Sequence, residues 1–557
     1  MSGALATSPV RAQRAAGTHR LGALGWTSLA VAALVLAPLL FVVGNVFVPS
    51  RTTWAHLVAT VLPGYVWNTA LLVAMVAAGV MSIGVLSAWL VTAYRFPGQR
   101  VLEWALILPL AVPAYVMAYA YTDWLQYSGP VQTTVRELTG LRAREYWFPE
   151  IRSLYGAGAM FSFALYPYVY LLARNAFIEQ SRTAIEAGRL LGYSAWGSFW
   201  RVALPLARPG VVAGTALALM ETLADFGTVS YFAVQTFTTG IYRAWLSLGD
   251  SIAAGQLATC LLAFVLIVLA LERVQRGGAR YAAGRKPTPP HALRGWQAAT
   301  AFVLCAAPVL FGFLLPAGVL LELALTDPDV RVGTRLYALI ANSFTLSGVT
   351  AVIAVAVAVL LAYAGRLARS PLVPLANRLA ALGYAMPGAV LAVGILVPLG
   401  KLDNAAAGWL HAQFGVKTGL LLTGSIVALV YACLVRYLAV AFQTTEAALA
   451  RVTPAMDDAA RSLGLSPSGA LARVHVPILR GSIVTAGLLV FVDVMKELPM
   501  TFAMRPFNFD TLAVEAYNLT KDERLAEASV PSLVIVGIGL VPLIVLSRQI
   551  ARARRRG

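Results

Sequence analysis

Two stretches of this chain read alike: EAGRLLGYSAWGSFWRVALPLARPGVV from Glu186, and DAARSLGLSPSGALARVHVPILRGSIV from Asp458. At a shift of 272 residues Glu186 faces Asp458, Ala187 faces Ala459, Arg189 faces Arg461 and Gly192 faces Gly464. Further along, Ser194 faces Ser466, Arg201 faces Arg473, Pro205 faces Pro477 and Arg208 faces Arg480. Weaker echoes at a shift of 274 pair Asn68 with Asn342 and Pro113 with Pro387. A repeat that long is one structural unit used twice, so its surroundings decide the fold.

Those surroundings are apolar. Of 557 residues, 59% are hydrophobic and 12% charged, where soluble domains carry about 25% charged residues. That excludes an ordinary cytosolic enzyme, a disordered chain and a secreted disulfide scaffold. Cys260, Cys305 and Cys433 lie in apolar runs without zinc-ligand spacing. A membrane-crossing helix needs about 20 mainly apolar residues. Twelve stretches qualify, near 24–48, 67–94, 102–122, 153–178, 210–232, 255–271, 298–325, 342–365, 379–400, 419–442, 482–504 and 530–547. The expectation is an all-α polytopic membrane protein of two six-span halves in the same order and orientation. The first half is 1–272, with its repeated loop at 178–209. The second is 298–557, with its loop at 443–481, and a basic linker rich in Gly and Pro, 273–297, joins them. The net charge of +18 reads as orientation signal. Lys and Arg crowd the loops and termini of the N-terminal side, including Arg552, Arg554, Arg555 and Arg556, which places that side and both termini in the cytoplasm. A nucleic-acid role loses its support. Arg11, Arg14 and Arg20 before an apolar run imitate a signal peptide, but the run exceeds a typical signal core and reads as a first span.

Each repeated loop reads as two short helices joined by a glycine turn. Thr183 and Glu186 fit a capping box, Gly192 suits the left-handed position that ends a helix, and Ser466-Pro467 supplies an N-cap and a first-turn proline. Pro205 and Pro477 are expected to stop the second short helix before the next span. The acid is not merely a cap. Where the first copy has Thr183 the second has Ala455, and Asp458 lies deeper in a helix begun at Thr453-Pro454. An acid kept in register under different capping asks for an external partner.

The pattern acid-Ala-small, three residues, Gly, nine residues, aliphatic, any residue, aliphatic, Pro resembles the EAA loop of ABC importer permeases, in both copies. The resemblance implies the type I importer permease fold, a bacterial inner-membrane location, and a loop that docks into a cytoplasmic ATPase subunit, two copies of it for two loops. Carried over, the coupling residues are Glu186, Ala187, Gly188, Gly192 and Pro205 in one loop and Asp458, Ala459, Ala460, Gly464 and Pro477 in the other. Gly188 departs from the alanine that the pattern prefers. No G-x-x-x-x-G-K-[ST] occurs around any of the five lysines; Gly400-Lys401 is followed by Leu402. Without a phosphate-cradling loop the chain is expected to bind no cofactor and to leave ATP and Mg to the partner ATPase. No catalytic set of residues stands out.

Ionisable residues inside a membrane default to functional hypotheses. Within the spans this reading finds Lys496 against Glu221, Asp225, Glu322, Asp493 and Glu497. Glu221 and Asp225, four apart, are expected on one face of the fifth span, with Asp493 and Glu497 equivalent in the eleventh. Two readings stay open: a translocation path for a cation through Glu221, Asp225, Asp493, Lys496 and Glu497, or a neutralised network in which Lys496 pairs Asp493 or Glu497 and hydrogen bonds run to Thr222 or Thr501. The stretches METLADFGTVSYFAVQTFTTGIYRAWLSLGD from Met220 and MKELPMTFAMRPFNFDTLAVEAYNLTKDERLAEAS from Met495 resemble iron(III) importer permeases. Thiamine, polyamine and phosphonate permeases resemble the same group. The resemblance implies ferric iron as cargo, no tight metal site, and a periplasmic binding protein docking on the polar loops 122–153 and 505–529. Twelve spans in two halves also describe ion-coupled secondary transporters, but those carry their repeat signature at a midplane site, whereas here it lies in a helical loop.

Overall fold

The computed structural model describes residues 22–48, 51–142, 145–179, 192–276, 291–328, 333–368 and 370–556. Eleven helices in it are long and apolar enough to cross a membrane, and two more meet at 94° to make a broken twelfth. The unbroken spans of the first half are Ala23–Phe47, Leu62–Ala93, Leu154–Ile178, Phe199–Ala224 and Ser251–Gln275. Those of the second are Trp296–Thr326, Thr334–Leu367, Gly388–Phe414, Ile426–Leu449, Pro467–Met495 and Leu525–Val545. Helices are the outcome physics requires, because hydrocarbon offers no water to backbone N–H and C=O groups.

Four spans differ from the sequence expectation. The third is not one helix over 102–122: Gln99–Ala111 and Ala114–Thr139 meet at Val112-Pro113. Pro113 has no N–H and a fixed φ, so it caps the second piece in an extended conformation (φ −59°, ψ 143°). The ninth span repeats this device. A short 3-10 turn, Ala381–Ala385, leads to Pro387 (φ −59°, ψ 145°), and the helix starts at Gly388 rather than 379. The fifth and eleventh spans end early, at Ala224 and Met495. The expected 225–232 and 496–504 portions form separate short helices, Gly227–Tyr231 and Pro499–Met504.

The prolines expected to stop the short loop helices do not. In each half a π turn, Phe199–Ala203 or Leu471–His475, precedes the proline. Leu204 N–H then reaches back five residues to Phe199 O, and Val476 N–H to Leu471 O. Pro205 and Pro477 fall in the first turn of the restarted α-helix, where a missing N–H breaks no ladder. The second helix of each repeated loop is therefore the continuation of the span that follows it.

The halves exchange their first helices. Ala23–Phe47 lies against the ninth and tenth spans: Tyr431 Oη donates to Leu34 O at 2.6 Å, and a Cβ on Gly394 would stand 2.7 Å from Pro38 O. Trp296–Thr326 lies reciprocally against the first half, with Gly312 packed on Phe163 O and the Pro109 ring and Tyr121 Oη donating to Phe311 O. Glycine at such contacts lets helix backbones approach without side-chain obstruction. The weaker echo at Asn68 and Asn342 is also structural. Asn68 donates to Gln235 O at 2.9 Å and Asn342 to Asp510 O at 3.0 Å, each tying an early span to the segment beyond a broken one.

Gly394→Ala is expected to lower the thermal stability of the purified protein by overpacking, at about 1–3 kcal/mol. Gly400→Ala, where an added Cβ meets nothing within 4 Å, serves as the control. Equal melting temperatures for the two variants, read by fluorescence-detected size exclusion after heating, would remove the close-approach argument.

Candidate functional site

The second repeated loop is fully described. Pro454–Ser462 begins at Thr453 with Pro454 in its first turn and places Asp458 mid-helix, as the sequence predicts. It ends in a Schellman turn: Leu465 N–H bonds Ala460 O, Gly464 N–H bonds Arg461 O, and Gly464 takes φ +78°. Ser466 Oγ then accepts from Gly469 N at 3.2 Å and starts the next helix at Pro467. Asp458 is two-thirds exposed and ion-paired with the equally exposed Arg461, so its carboxylate remains open to a partner. In the first copy Glu186, Ala187, Gly188 and the Thr183 cap lie outside the described residues. Gly192 has φ +82°, and Ser194 Oγ accepts from Gly197 N at 3.1 Å, matching Gly464 and Ser466.

An anchor that sequence reasoning missed holds the second loop in place. Asp457, one residue before the exposed acid, accepts from Arg366 Nε at 2.8 Å and lies 2.7 Å from Nε2 of the wholly buried His475. Arg366, at the end of the eighth span, also donates to Leu449 O and Val452 O at the end of the tenth. The loop helix, two spans and the π turn thus meet at one carboxylate. Asp457 and Arg366 are 91 residues apart, and no local pattern in the sequence couples them.

The intramembrane acids meet between the halves, but not as expected. A cavity of about 110 Å³ is lined by Glu221, Asp225, Asp493, Lys496 and Glu497 together with Arg436, Tyr168, Tyr437 and the Pro109–Tyr115 break. Asp225 does not share a helix face with Glu221, because the helix ends at Ala224 and Asp225 is extended (ψ 139°). Its carboxylate instead caps the next short helix, accepting from Thr228 N at 2.9 Å, Thr228 Oγ1 at 3.2 Å and Val229 N at 3.3 Å. Glu497 does the same in the second half, accepting from Met500 N and Thr501 N at 2.9 Å and Thr501 Oγ1 at 2.8 Å. Thr222, in contrast, donates to Ala218 O within its own helix.

The remaining charges pair. Lys496 Nζ lies 3.1 Å from Asp493 Oδ1, and Tyr384 Oη donates to Glu221 Oε1 at 3.0 Å across the halves. Lys496 is not the sole intramembrane base. Arg436 is buried in the tenth span and Arg174 in the fourth, where Arg174 pairs with Glu103. The rule that singled out Lys496 singles out both, since each interrupts an apolar run. Glu322 stands apart from the cavity, on the seventh span near Asp123. The aromatic seal beyond the cavity joins the halves: Phe226 stacks on Phe502 at 5.7 Å, and Tyr242 Oη donates to Pro499 O at 2.6 Å. On the face opposite the repeated loops, segments 122–153 and 505–529 come together in a groove of about 440 Å³ lined by Asp123, Arg152, Asp327, Glu523, Arg524 and Glu527.

Asp225→Ala and Glu497→Ala each strip a short helix of its capping acceptor and are expected to destabilise the protein by about 1–3 kcal/mol. Asn and Gln in the same places keep one acceptor oxygen and recover part of that loss. Melting curves in detergent check this, and an unaltered melting temperature in both alanine variants would reject the capping role.

Comparison with known proteins agrees with this architecture. Residues 80–277 match the family described as binding-protein-dependent transport system inner membrane component. The Fe(3+)-transport system permease protein FbpB 2 of Haemophilus influenzae is 25% identical over 489 residues, 86% of this chain and 89% of the relative. The sulfate transport system permease protein CysT of Escherichia coli is 28% identical over 44% of this chain and 88% of its own length. The molybdenum transport system permease protein ModB of Escherichia coli is also 28% identical, over 37% of this chain and 89% of its own. Each of these two shorter relatives aligns with less than half of this chain, in keeping with a chain of two repeated halves. The match over residues 80–277 and the similarity to the Fe(3+) permease along most of the chain show a membrane-spanning permease of an ABC importer.

Proposed function

We propose that this permease carries ferric iron across the bacterial inner membrane, powered by a separate ATPase that docks on the two repeated loops. The observation that carries the cargo assignment is the similarity to the Fe(3+) permease across 86% of this chain. Acidic groups around the cavity suit a hard cation that prefers oxygen ligands. Because Asp225 and Glu497 are engaged as helix caps, the path holds the ion loosely enough to release it. The Lys/Arg excess supports cytoplasmic repeated loops and termini. The face carrying the 122–153 and 505–529 groove is then periplasmic and receives the binding protein. Two coupling loops call for two ATPase copies, which use ATP and Mg on their own surfaces.

The mechanism follows from the continuity of each loop helix with its span. ATPase closure displaces the loops at Glu186 and Asp458. The displacement passes through Ala195–Ala224 and Pro467–Met495 without a hinge and arrives at the helix ends where Glu221, Asp225, Asp493 and Glu497 line the cavity. The Asp457–Arg366–His475 anchor transmits the same load to the eighth and tenth spans. Motion at the loops therefore opens or closes the junction between the halves.

Reversing both loop charges, Glu186→Lys with Asp458→Lys, is expected to abolish iron uptake and co-purification of the ATPase while membrane insertion stays at the wild-type level. Uptake of ⁵⁵Fe in cells that lack any other ferric importer reads the outcome. Wild-type uptake in the double variant would refute the docking role, and an intact importer that carries no iron would refute the cargo.

A further inference from the structure

Arg436 brings to the cavity a chemistry that a bare cation does not use. Its side chain is buried to about 95% and lines the cavity. Its Nε has no hydrogen-bond partner among the described residues, and its Nη2 pairs with Glu221 Oε2 only across 3.8 Å, beyond hydrogen-bonding distance. The neighbouring charges are already engaged: Glu221 Oε1 by Tyr384, Asp493 by Lys496, Asp225 and Glu497 as caps. At the repeat-equivalent position stands Ala164, which also lines the cavity, so the guanidinium is an addition of one half and not part of the shared scaffold. A buried guanidinium is costly unless an acceptor reaches it, and its planar fork matches paired oxygens of an oxyanion.

We propose that Arg436 is a subsite for a negatively charged oxygen of a phosphate, carbonate or carboxylate that crosses the membrane as a ligand of the metal. The inference rests on the ferric reading above. Among the described residues no three His, Cys, Asp or Glu side chains converge as a metal cage, so the coordination shell that passes the cavity is one the ion brings with it. Arg436 acts on the anionic part of that complex and thereby selects which ferric complexes cross.

The test uses the complete importer, this chain with its ATPase and binding protein, in proteoliposomes supplied with ATP. ⁵⁵Fe(III) is offered with ³³P-phosphate, ¹⁴C-carbonate or ¹⁴C-citrate as its ligand. The expected result is that at least one anion label accumulates with the iron. Arg436→Gln then lowers both by tenfold or more while ATP hydrolysis stimulated by the binding protein stays within twofold, and Arg436→Lys recovers part of the uptake. Iron accumulating without any anion label, or wild-type iron uptake in R436Q, overturns the proposal. Loss of stimulated ATP hydrolysis in R436Q in step with uptake also overturns it, by assigning the residue to structure. Calorimetric titration of the purified full-length chain with inorganic phosphate at constant ionic strength separates this subsite from the cargo reading. If the vesicles take up no iron but phosphate binding is present and lost in R436Q, the metal assignment falls and the anion subsite stands. If neither is seen, both fall.

Discussion

Everything in this fold answers to one constraint: inside hydrocarbon, a backbone N–H without an acceptor costs several kcal/mol. A helix meets that constraint along its length but not at its ends. The fifth and eleventh spans end between the halves, and each end faces the N-terminus of a short helix whose first N–H groups have no partner of their own. Asp225 and Glu497 supply the missing acceptors. The two acids that look like a cation pathway are therefore first of all what allows the membrane helices to be interrupted there. The interruption creates the cavity that Glu221, Asp493 and Arg436 line.

Much of this was legible in the sequence, and what was not has identifiable physical causes. The repeated loop, its glycine turns and its Ser466-Pro467 start follow from local chemistry, and the structure reproduces them at Gly464, Gly192 and Ser466. The repeat offsets at Asn68 and Asn342 mark real tethers. Asp225 leaves the helix face shared with Glu221 because the helix ends at Ala224 and its carboxylate caps the next one. An apolar run carries no mark of where its ladder stops, because Ala-Asp-Phe-Gly and Lys-Glu-Leu-Pro read equally well as the tail of a span. Pro205 and Pro477 misled for the opposite reason: a π turn accommodates a proline that an unbroken α-helix would not. Arg436 was visible by the criterion that picked out Lys496, whereas Asp457, Arg366 and His475 meet through tertiary packing alone.

The continuity of loop helix and span gives the molecule its mechanics. A flexible joint between the repeated loop's second helix and the span would dissipate any displacement applied to the loop. Here the joint is a helix with a widened turn, pinned in the second half by a carboxylate shared between Arg366 and His475. The first half has Ala203 where the second has His475 and Ile185 where it has Asp457. The Asp457–His475 contact of the second arm therefore has no side-chain counterpart at these two positions of the first.

The exchange of first helices has a consequence for biogenesis. The C-terminal end of Ala23–Phe47 meets the sixth span, where Thr259 Oγ1 donates to Val42 O at 3.2 Å, but its partners in the second half, Leu372–Ala380 and the ninth and tenth spans, begin at Leu372, Gly388 and Ile426. At roughly 5–20 residues per second of synthesis, the earliest helix waits in the bilayer on the order of tens of seconds before its binding surface emerges from the ribosome. Its composition suits that delay: mean hydropathy is 2.5 in its most apolar window, and only 22% of that window is buried even after assembly. The first half, whose last span ends at Gln275, is complete only once Trp296–Thr326 has followed it, and joining the halves in one polypeptide keeps the missing piece at hand.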